Sequence, residues 1–311
     1  MFTFLVRRII GTIPIVFGVA LVVFVLFNIV GGDPALMMVG KHATAQQIAD
    51  IRHEYGLDQS LPVQFFHYLK DLSTFEFGRS YATRQRISDM ILSGIGPSLS
   101  LTVPAFFLTT IISILLGLLV AYFRGRIIDR VSVFLCVVGM SIPALGYILF
   151  GQYYLAYDRR WFPISGYDYS FPGRFEYLAL PIVLWLMLSI GYDVRFFRTA
   201  ILEETNQDYV RTARAKGVSE PKVFLKHVLK NSMVPIVTNV VLEIPLLVLG
   251  SFLFETFFGI PGLGSITIDA LHNSDLPVIK TMAFVISLLL IFGNIMTDLV
   301  YALVDPRVKL S

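Results

Sequence analysis

Long apolar stretches, separated by polar segments, most strongly limit how this chain can fold. Several stretches approach or exceed about 18 residues, the length at which a membrane-spanning helix is expected. Only 15% of the 311 residues are charged, whereas soluble domains carry about 25%. A soluble protein with a large core is the alternative. The sequence predicts an all-α integral membrane protein with about six spans, at residues 9–30, 99–122, 131–155, 177–192, 235–254 and 278–304.

The first apolar stretch follows Arg7 and Arg8, an arrangement that secretory signal peptides share. It is longer than the apolar part of such signals, which has about 7–15 residues. The sequence Gly31-Gly32-Asp33-Pro34 follows it and contains no small-residue cleavage pattern. We therefore expect residues 1–30 to be a retained transmembrane helix.

Basic residues are distributed unevenly between the polar segments. With a cytoplasmic N-terminus, 15 of the 25 Lys and Arg residues lie on the cytoplasmic side. The two short outer loops, residues 156–176 and 255–277, contain only Arg159, Arg160 and Arg174. Because short cytoplasmic loops are enriched in Lys and Arg, this distribution predicts that both termini are cytoplasmic. The net charge of +3 reflects the same bias and gives no evidence for nucleic-acid binding.

The polar segments divide the chain into four parts. We expect an N-terminal transmembrane helix (1–30), an extracytoplasmic segment (31–98), a five-helix core that includes a cytoplasmic loop at 195–232 (99–304), and a cytoplasmic tail (305–311). Thr44 is a candidate helix N-cap in the second part. Six aromatic residues predict that this part forms a packed lobe: Phe65, Phe66, Tyr68, Phe75, Phe77 and Tyr81. The spacing of its histidines matches no metal-ligand pattern.

The loop at 195–232 has a helical pattern although it only needs to join two spans. Residues 208–216 predict a short helix, and Gly217 suits the left-handed conformation that often ends one. Ser219 is a candidate cap for a second helix that runs to residue 229. One interpretation is a docking surface for a cytoplasmic partner. The other is an interfacial helix that lies on anionic lipid headgroups.

Three ionisable residues fall in or near the predicted spans: Asp193, Glu243 and Asp298. Carboxylates inside a membrane are costly and therefore suggest function. Glu243 lies near the middle of its span, where it is a candidate to line a solute path and meet a substrate amine. A hydrogen bond between helices, or a cation on a partner chain, are the alternatives. Asp298 is interpreted as structural.

Five motifs occur in order between the spans. The first two are Arg7-Arg8-Ile9-Ile10 with Gly32-Asp33-Pro34, and residues 55–62 with Phe77-Gly78-Arg79-Ser80. The others are residues 208–217, residues 255–264 (ETFFGIPGLG) and Asp305-Pro306-Arg307. Together they resemble, over the whole chain, the permeases of bacterial ABC importers of the dipeptide, oligopeptide and nickel group. The resemblance implies a type I ABC importer permease fold in the bacterial inner membrane.

Residues 208–217 are similar to the family's form of the EAA loop, which seats on the ATPase subunit. The general pattern begins with Glu and two Ala, where this chain has Arg211, Thr212 and Ala213, and its later Leu-Pro corresponds to Leu229-Lys230. Ala213 is expected to allow close approach of the partner surface, and Gly217 a tight turn. The resemblance implies these ATPase-coupling residues: Tyr209, Arg211, Thr212, Ala213, Ala215, Lys216 and Gly217.

The outer motif contains a turn formed by Pro261, Gly262, Leu263 and Gly264. Pro261, Gly262 and Gly264 are candidates for an outer gate or for a contact with a binding protein. A purely structural turn is the alternative.

The resemblance implies an assembly in which this chain pairs with a second permease. Two ATPase subunits would bind from the cytoplasm, and a solute-binding protein would deliver substrate from outside. The chain contains no G-x-x-x-x-G-K-[ST] phosphate loop, so we expect no enzyme activity and no cofactor on it, with ATP and magnesium on the partner ATPases. Peptides are the expected solutes, and nickel chelates or glutathione are alternatives. An ATP-independent channel or carrier, and an intramembrane protease, are the rival classes.

Overall fold

The computed structural model describes residues 2–30, 44–54, 56–249 and 252–304. The Gly32-Asp33-Pro34 and Asp305-Pro306-Arg307 motifs lie outside these ranges, as do Tyr55 and the cytoplasmic tail. The described residues form helices and no strand, apart from one isolated bridge between Arg79 and Arg86. The fold is therefore all-α, as predicted.

The described ranges contain thirteen α-helices, numbered in chain order. They are α1 (Phe2–Val25), α2 (Ala45–Glu54), α3 (Leu61–Thr74), α4 (Ile87–Tyr122), α5 (Ile127–Met140), α6 (Ala144–Gly151), α7 (Gly173–Thr205), α8 (Asp208–Ala215), α9 (Glu220–Lys222), α10 (Leu229–Leu249), α11 (Phe252–Phe258), α12 (Leu263–His272) and α13 (Leu276–Val304). Short π-helical segments extend three of them: Leu26–Val30 after α1, Gln152–Asp158 after α6, and Val223–Val228 between α9 and α10.

Four described helices are long and apolar enough to cross a membrane: Ile10–Asn28 of α1, α4, α7 and Leu276–Asp298 of α13. A bent pair, α5 with α6, makes a fifth if it counts as one span. The predicted span at 235–254 is divided between α10 and α11, and residues 250–251 between them lie outside the described ranges. A total of six spans therefore stays a prediction.

The span predicted at 131–155 is bent. Helices α5 and α6 meet there at 93°, and the break falls at Ser141-Ile142-Pro143. Proline lacks a backbone N–H and disfavours helical backbone in the residue before it, so the helix ends before Pro143. The hydroxyl of Tyr147 donates a 2.9 Å hydrogen bond to the Gly139 carbonyl across the bend, which fixes the angle.

Helices α4 and α7 run parallel and form the centre of the bundle. Leu101 packs with Leu180 near one end, and Ala121 packs with Ile201 near the other. The contact between the two helices therefore extends along most of their length. The helices approach closely at Gly117, where an added Cβ would lie 3.1 Å from the Cβ of Phe197.

The helix bundle has two ends, a lobe end and a knob end. The lobe end holds α3, residues 75–86, α11, α12 and the start of α13. The knob end holds α8 and α9. At the lobe end, Phe65 packs edge-on against Phe17 and Phe24 of α1, with ring centroids 5.6 and 5.1 Å apart. Tyr68 and Phe77 contribute to a neighbouring apolar cluster around Leu72. The predicted packing is thus confirmed for these residues and Phe65, whereas Phe66 and Phe75 are exposed.

Candidate functional site

A two-helix knob, residues 206–228, projects between α7 and α10. Its first helix is α8, which matches the short helix predicted at 208–216 within one residue. Its second part begins at α9 and continues through the π-helical segment into α10. Ser219 occupies the N-cap position of α9, as predicted, although its side chain makes no capping hydrogen bond. Pro221 in the first turn favours helix initiation there.

Gly217 ends α8 in the left-handed conformation, with φ of +77°. The Gly217 N–H donates to the Arg214 carbonyl at 2.9 Å, and the Val218 N–H donates to the Ala213 carbonyl at 3.2 Å. These two bonds form a Schellman motif, which needs positive φ at the glycine position. The prediction for this turn is confirmed.

The inner face of the knob is apolar. Val210 is fully buried, and Ala213 is only 7% exposed. They join one cluster with the following residues from the knob, α4, α7 and α10: Ala121, Phe197, Ala200, Ile201, Val223, Phe224, Val228 and Ile236. Ala213 therefore faces this chain's own core, contrary to the expectation that it meets a partner surface. Its small side chain lets α8 lie close to that core.

The outer face of the knob is mostly polar, although Leu225 in its second part is 60% exposed. Arg211, Thr212, Ala215, Lys216 and Gly217 are exposed, so the structure brings five of the predicted coupling residues to one surface. Tyr209 lies at its edge, and its hydroxyl donates to a Glu204 carboxylate oxygen. Burial and the Glu204 bond together raise the pKa of Tyr209 to about 12, so the phenol stays a donor.

Two ion pairs fix the shape of the knob end. Within the knob, the Arg214 guanidinium donates to both carboxylate oxygens of Glu220, at 2.8 and 3.3 Å, and so joins α8 to α9. Farther inside, Arg198 of α7 donates to both oxygens of Asp129, at 2.7 and 2.9 Å. Asp129 also accepts from the Gly125 N–H. The start of α5 is thereby tied to α7 next to the knob.

The intramembrane carboxylates lie away from the knob surface. Asp193 of α7 is 4% exposed, and Glu243 of α10 is half-buried. Glu243 accepts a long, 3.4 Å hydrogen bond from the Asn239 side chain one turn away. Its role as a pathway residue stays a prediction. Asp298 forms a 2.8 Å ion pair with Arg8, which supports the structural interpretation of that residue.

At the lobe end, the outer motif is organised by a residue that the sequence analysis missed, Glu255. This side chain is fully buried. Its carboxylate accepts from the Ser98 hydroxyl at 2.8 Å, and from the Gly264 and Ser265 N–H groups at 2.7 and 3.2 Å. The last two are free donors at the start of α12, so Glu255 acts as its N-terminal cap.

The glycines of the outer motif make room for this carboxylate. A Cβ at Gly262 would lie 2.3 Å from Glu255 Oε2, and one at Gly264 would lie 2.8 Å from the same atom. Both glycines are buried, and Pro261 is exposed. This packing favours the structural-turn alternative for Gly262 and Gly264. The capping role of Glu255 had a signal in the sequence, because Glu255 is a negative residue just before a glycine-rich turn that starts a helix.

A second buried carboxylate joins the lobe to α13. Asp275 is 3% exposed and accepts hydrogen bonds from the Ser80 hydroxyl and from the Tyr81 and Ala82 N–H groups. Ser80 belongs to the Phe77-Gly78-Arg79-Ser80 motif, so that motif holds the lobe against the last span. Among the described residues, no group of His, Cys, Asp or Glu side chains could hold a metal ion.

Two family models cover nearly the whole sequence. Residues 113–310 match the binding-protein-dependent transport system inner membrane component. Residues 1–102 match the N-terminal part of the same kind of membrane component. The chain belongs to this permease family. It is accordingly a multi-pass inner-membrane permease component of an ABC importer. Such permeases are not enzymes, because ATP hydrolysis sits on separate subunits of the transport system.

Individual permeases are similar over their full length. A probable peptide ABC transporter permease protein, y4tP of Sinorhizobium fredii, is 36% identical over 311 residues, which cover 98% of this chain and 99% of that protein. The glutathione transport system permease protein GsiC of Salmonella choleraesuis is 35% identical, with 99% of each chain covered. GsiC of Escherichia coli K12 is also 35% identical over 99% of each chain.

Proposed function

We propose that this permease forms, with a second permease, the translocation path for di- or oligopeptides. The observation that carries the proposal is the knob. Its apolar face is buried against α4, α7 and α10, while its polar face, including Arg211, Thr212 and Lys216, is exposed. A loop that only joined two spans would need no such folded surface, and a lipid-bound helix would expose its apolar face instead.

The partners follow from the family and from this surface. Two ATPase subunits bind from the cytoplasm, one on this knob, and carry ATP and magnesium. A solute-binding protein delivers the solute at the lobe end. The knob end is cytoplasmic, as are both termini, in agreement with the distribution of Lys and Arg. The four-part division at residues 30, 98 and 304 belongs to the same proposal.

The mechanism is alternating access. Closure of the paired ATPases moves the knob, and the apolar cluster around Phe197 passes this motion to α7. The Arg198–Asp129 pair extends it to α5. Nucleotide shifts the equilibrium only through its different affinity for the two states. Glu243, inside the bundle, is the proposed contact for a peptide amine.

Glutathione is the second candidate solute. It is favoured by the similarity to the two GsiC proteins, at 35% identity over nearly the full length. Glutathione is itself a small peptide with free carboxylates and an ammonium group, so the same path chemistry would serve both solutes.

Replacing Gly217 with Val is expected to abolish ATPase association and peptide uptake while membrane insertion is kept. Left-handed backbone costs a residue with a Cβ about 1–2 kcal/mol, and a β-branched residue is a genuine outlier there. The Schellman bonds would break, and the exposed face of α8 would change its position. Co-purification of the ATPase with the permease pair, and ATP hydrolysis stimulated by loaded binding protein, measure the effect.

The matched control is Gly78→Val at the lobe end. Gly78 has the same φ of +77°, and a Cβ there would meet nothing within 4 Å. This variant should keep ATPase association. Normal association by Gly217→Val would contradict the docking role of the knob.

A further inference from the structure

A cavity of about 280 Å³ lies at the lobe end between the end of α1, helix α3 and the start of α13. Its walls are largely aromatic, and include Phe24, Tyr68 and Phe77. Binding sites for small molecules commonly combine apolar walls with a few charged groups. This cavity has both, and neither the knob nor the outer motif contributes to it.

Lys280 supplies the positive charge at one side of the cavity. Its ammonium donates to the Asn28 side-chain oxygen at 3.0 Å. It also lies 4.0 Å from the ring centroid of Tyr68 and 5.1 Å from that of Phe24. In the part of the chain that the structure describes, no carboxylate lies within 4.0 Å of this ammonium. Within this distance, the Lys280 ammonium therefore contacts only neutral groups.

Two further features favour an anion beside Lys280. Leu276 and Pro277, the first residues of the long helix α13, also line the cavity, and a helix N-terminus attracts negative charge. The Tyr68 hydroxyl is buried and has no hydrogen-bond partner among the described residues. Burial raises the pKa of Tyr68, so this group remains a neutral donor.

Two carboxylates also line the cavity, those of Asp71 and Glu76, and both residues are exposed. Partial desolvation and the charge of Glu76 raise the pKa of Asp71, while the charges of His67, Lys70 and Lys280 lower it. The cavity lining therefore contains the Lys280 ammonium and two carboxylates, which suits a molecule that carries both charges.

We propose that this cavity binds a short zwitterionic peptide, with its carboxylate beside Lys280 and Tyr68 and its ammonium beside Asp71 and Glu76. The volume fits a molecule of two or three small residues. The identification of the ligand as a peptide rests on the proposed function. The site gives the permease a binding step of its own on the side where solute arrives, independent of the knob.

Binding of trialanine to the complete transporter tests this proposal. The complex is placed in phosphatidylglycerol nanodiscs without ATP or binding protein, and binding is measured by titration calorimetry. Lys280→Met keeps most of the apolar side chain, and should weaken binding by about tenfold or more because one partner of a buried charge pair is lost. N-acetylated and C-amidated trialanine should each bind more weakly by a similar factor.

Two further variants distinguish a specific loss of trialanine binding from misfolding of the protein. Glu76→Gln changes an exposed residue and should weaken trialanine more than N-acetylated trialanine. Lys70→Met, an exposed lysine of the same helix α3 that does not line the cavity but acts electrostatically on Asp71, should not weaken binding. Equal affinities for wild type, Lys280→Met and Glu76→Gln would overturn the proposal, as would no binding of trialanine to the wild type.

Phosphatidylethanolamine has a zwitterionic headgroup too and is the competing occupant. Adding it to the nanodiscs should leave trialanine binding unchanged. Loss of trialanine binding, with retention of phosphatidylethanolamine that depends on Lys280, would assign the cavity to lipid and refute the peptide site. Trialanine binding by the permease pair that carries Gly217→Val, without its ATPases, separates this proposal from the proposed coupling role, since either can fail alone.

Discussion

Replacement of Glu255 with Ala is expected to lower the free energy of unfolding by about 3 kcal/mol or more. Three donors lose their acceptor together: the Ser98 hydroxyl and the Gly264 and Ser265 N–H groups. Hydrogen bonds to a charged group each contribute about 1.5–3 kcal/mol, and an unsatisfied buried donor costs about 1–3 kcal/mol. The site is fully buried, so the smaller side chain also leaves a cavity. Thermal unfolding in detergent measures the loss.

Two further substitutions at the same site should lower the stability by different amounts. Ser98→Ala removes one donor to the carboxylate and should cost less than Glu255→Ala. Glu255→Gln keeps the shape but turns one acceptor into a donor, so its effect should fall near that of Glu255→Ala. An unfolding temperature of Glu255→Ala equal to that of the wild type would contradict the capping role.

Replacement of Gly293 with Ala is expected to destabilise the contact between α10 and α13 by about 1–3 kcal/mol, the usual cost of overpacking. A Cβ at Gly293 would lie 2.5 Å from the Cα of Pro245, a distance that only backbone movement can relieve. The Thr297 hydroxyl also donates to the Val241 carbonyl at 3.1 Å across the same contact, and this interhelical bond would break as the helices separate. Thermal unfolding and peptide uptake should both decline.

Gly96→Ala is the matched control for Gly293→Ala. Gly96 lies within α4, and a Cβ there would meet nothing within 4 Å. Alanine is more favourable than glycine inside a helix by about 0.5–1 kcal/mol, so this substitution should be neutral or stabilising. The same chemical change is thus expected to have opposite signs at two helical positions. Equal behaviour of the two variants would show that the close contact at Gly293 carries no cost.

Features fixed by neighbouring residues could be predicted from the sequence. The end of α8 at Gly217 depends on bonds to Ala213 and Arg214, all within six residues. The N-cap at Thr44 is confirmed for the same reason: Thr44 and Gln47 exchange side-chain to N–H bonds in a capping box. The long apolar helices could also be predicted, from the length and composition of the apolar stretches.

Features fixed by distant residues could not be predicted. Glu255 binds a hydroxyl 157 residues away, and nothing near it in sequence reveals that partner. The burial of Ala213 depends on Phe197 and on Val223, which only the folded bundle brings together. The 93° angle of the bend near Pro143 could not be predicted, because apolar composition continues through residues 131–155 and does not report the angle between two helical segments.

The close packing of α4 against α7 has a mechanical consequence. Side chains packed as closely as those at Gly117 and Phe197 cannot slide gradually, because a shift would require a jump of a whole turn, about 5.4 Å. In the proposed mechanism we therefore expect the two helices to tilt together. Helix α7 has 33 residues and is about 50 Å long, so a tilt of about 10° applied at the knob would move its far end by about 9 Å. A small movement of the knob at one membrane face would thereby displace the far end of α7, at the other face, by as much as the length of an amino-acid side chain.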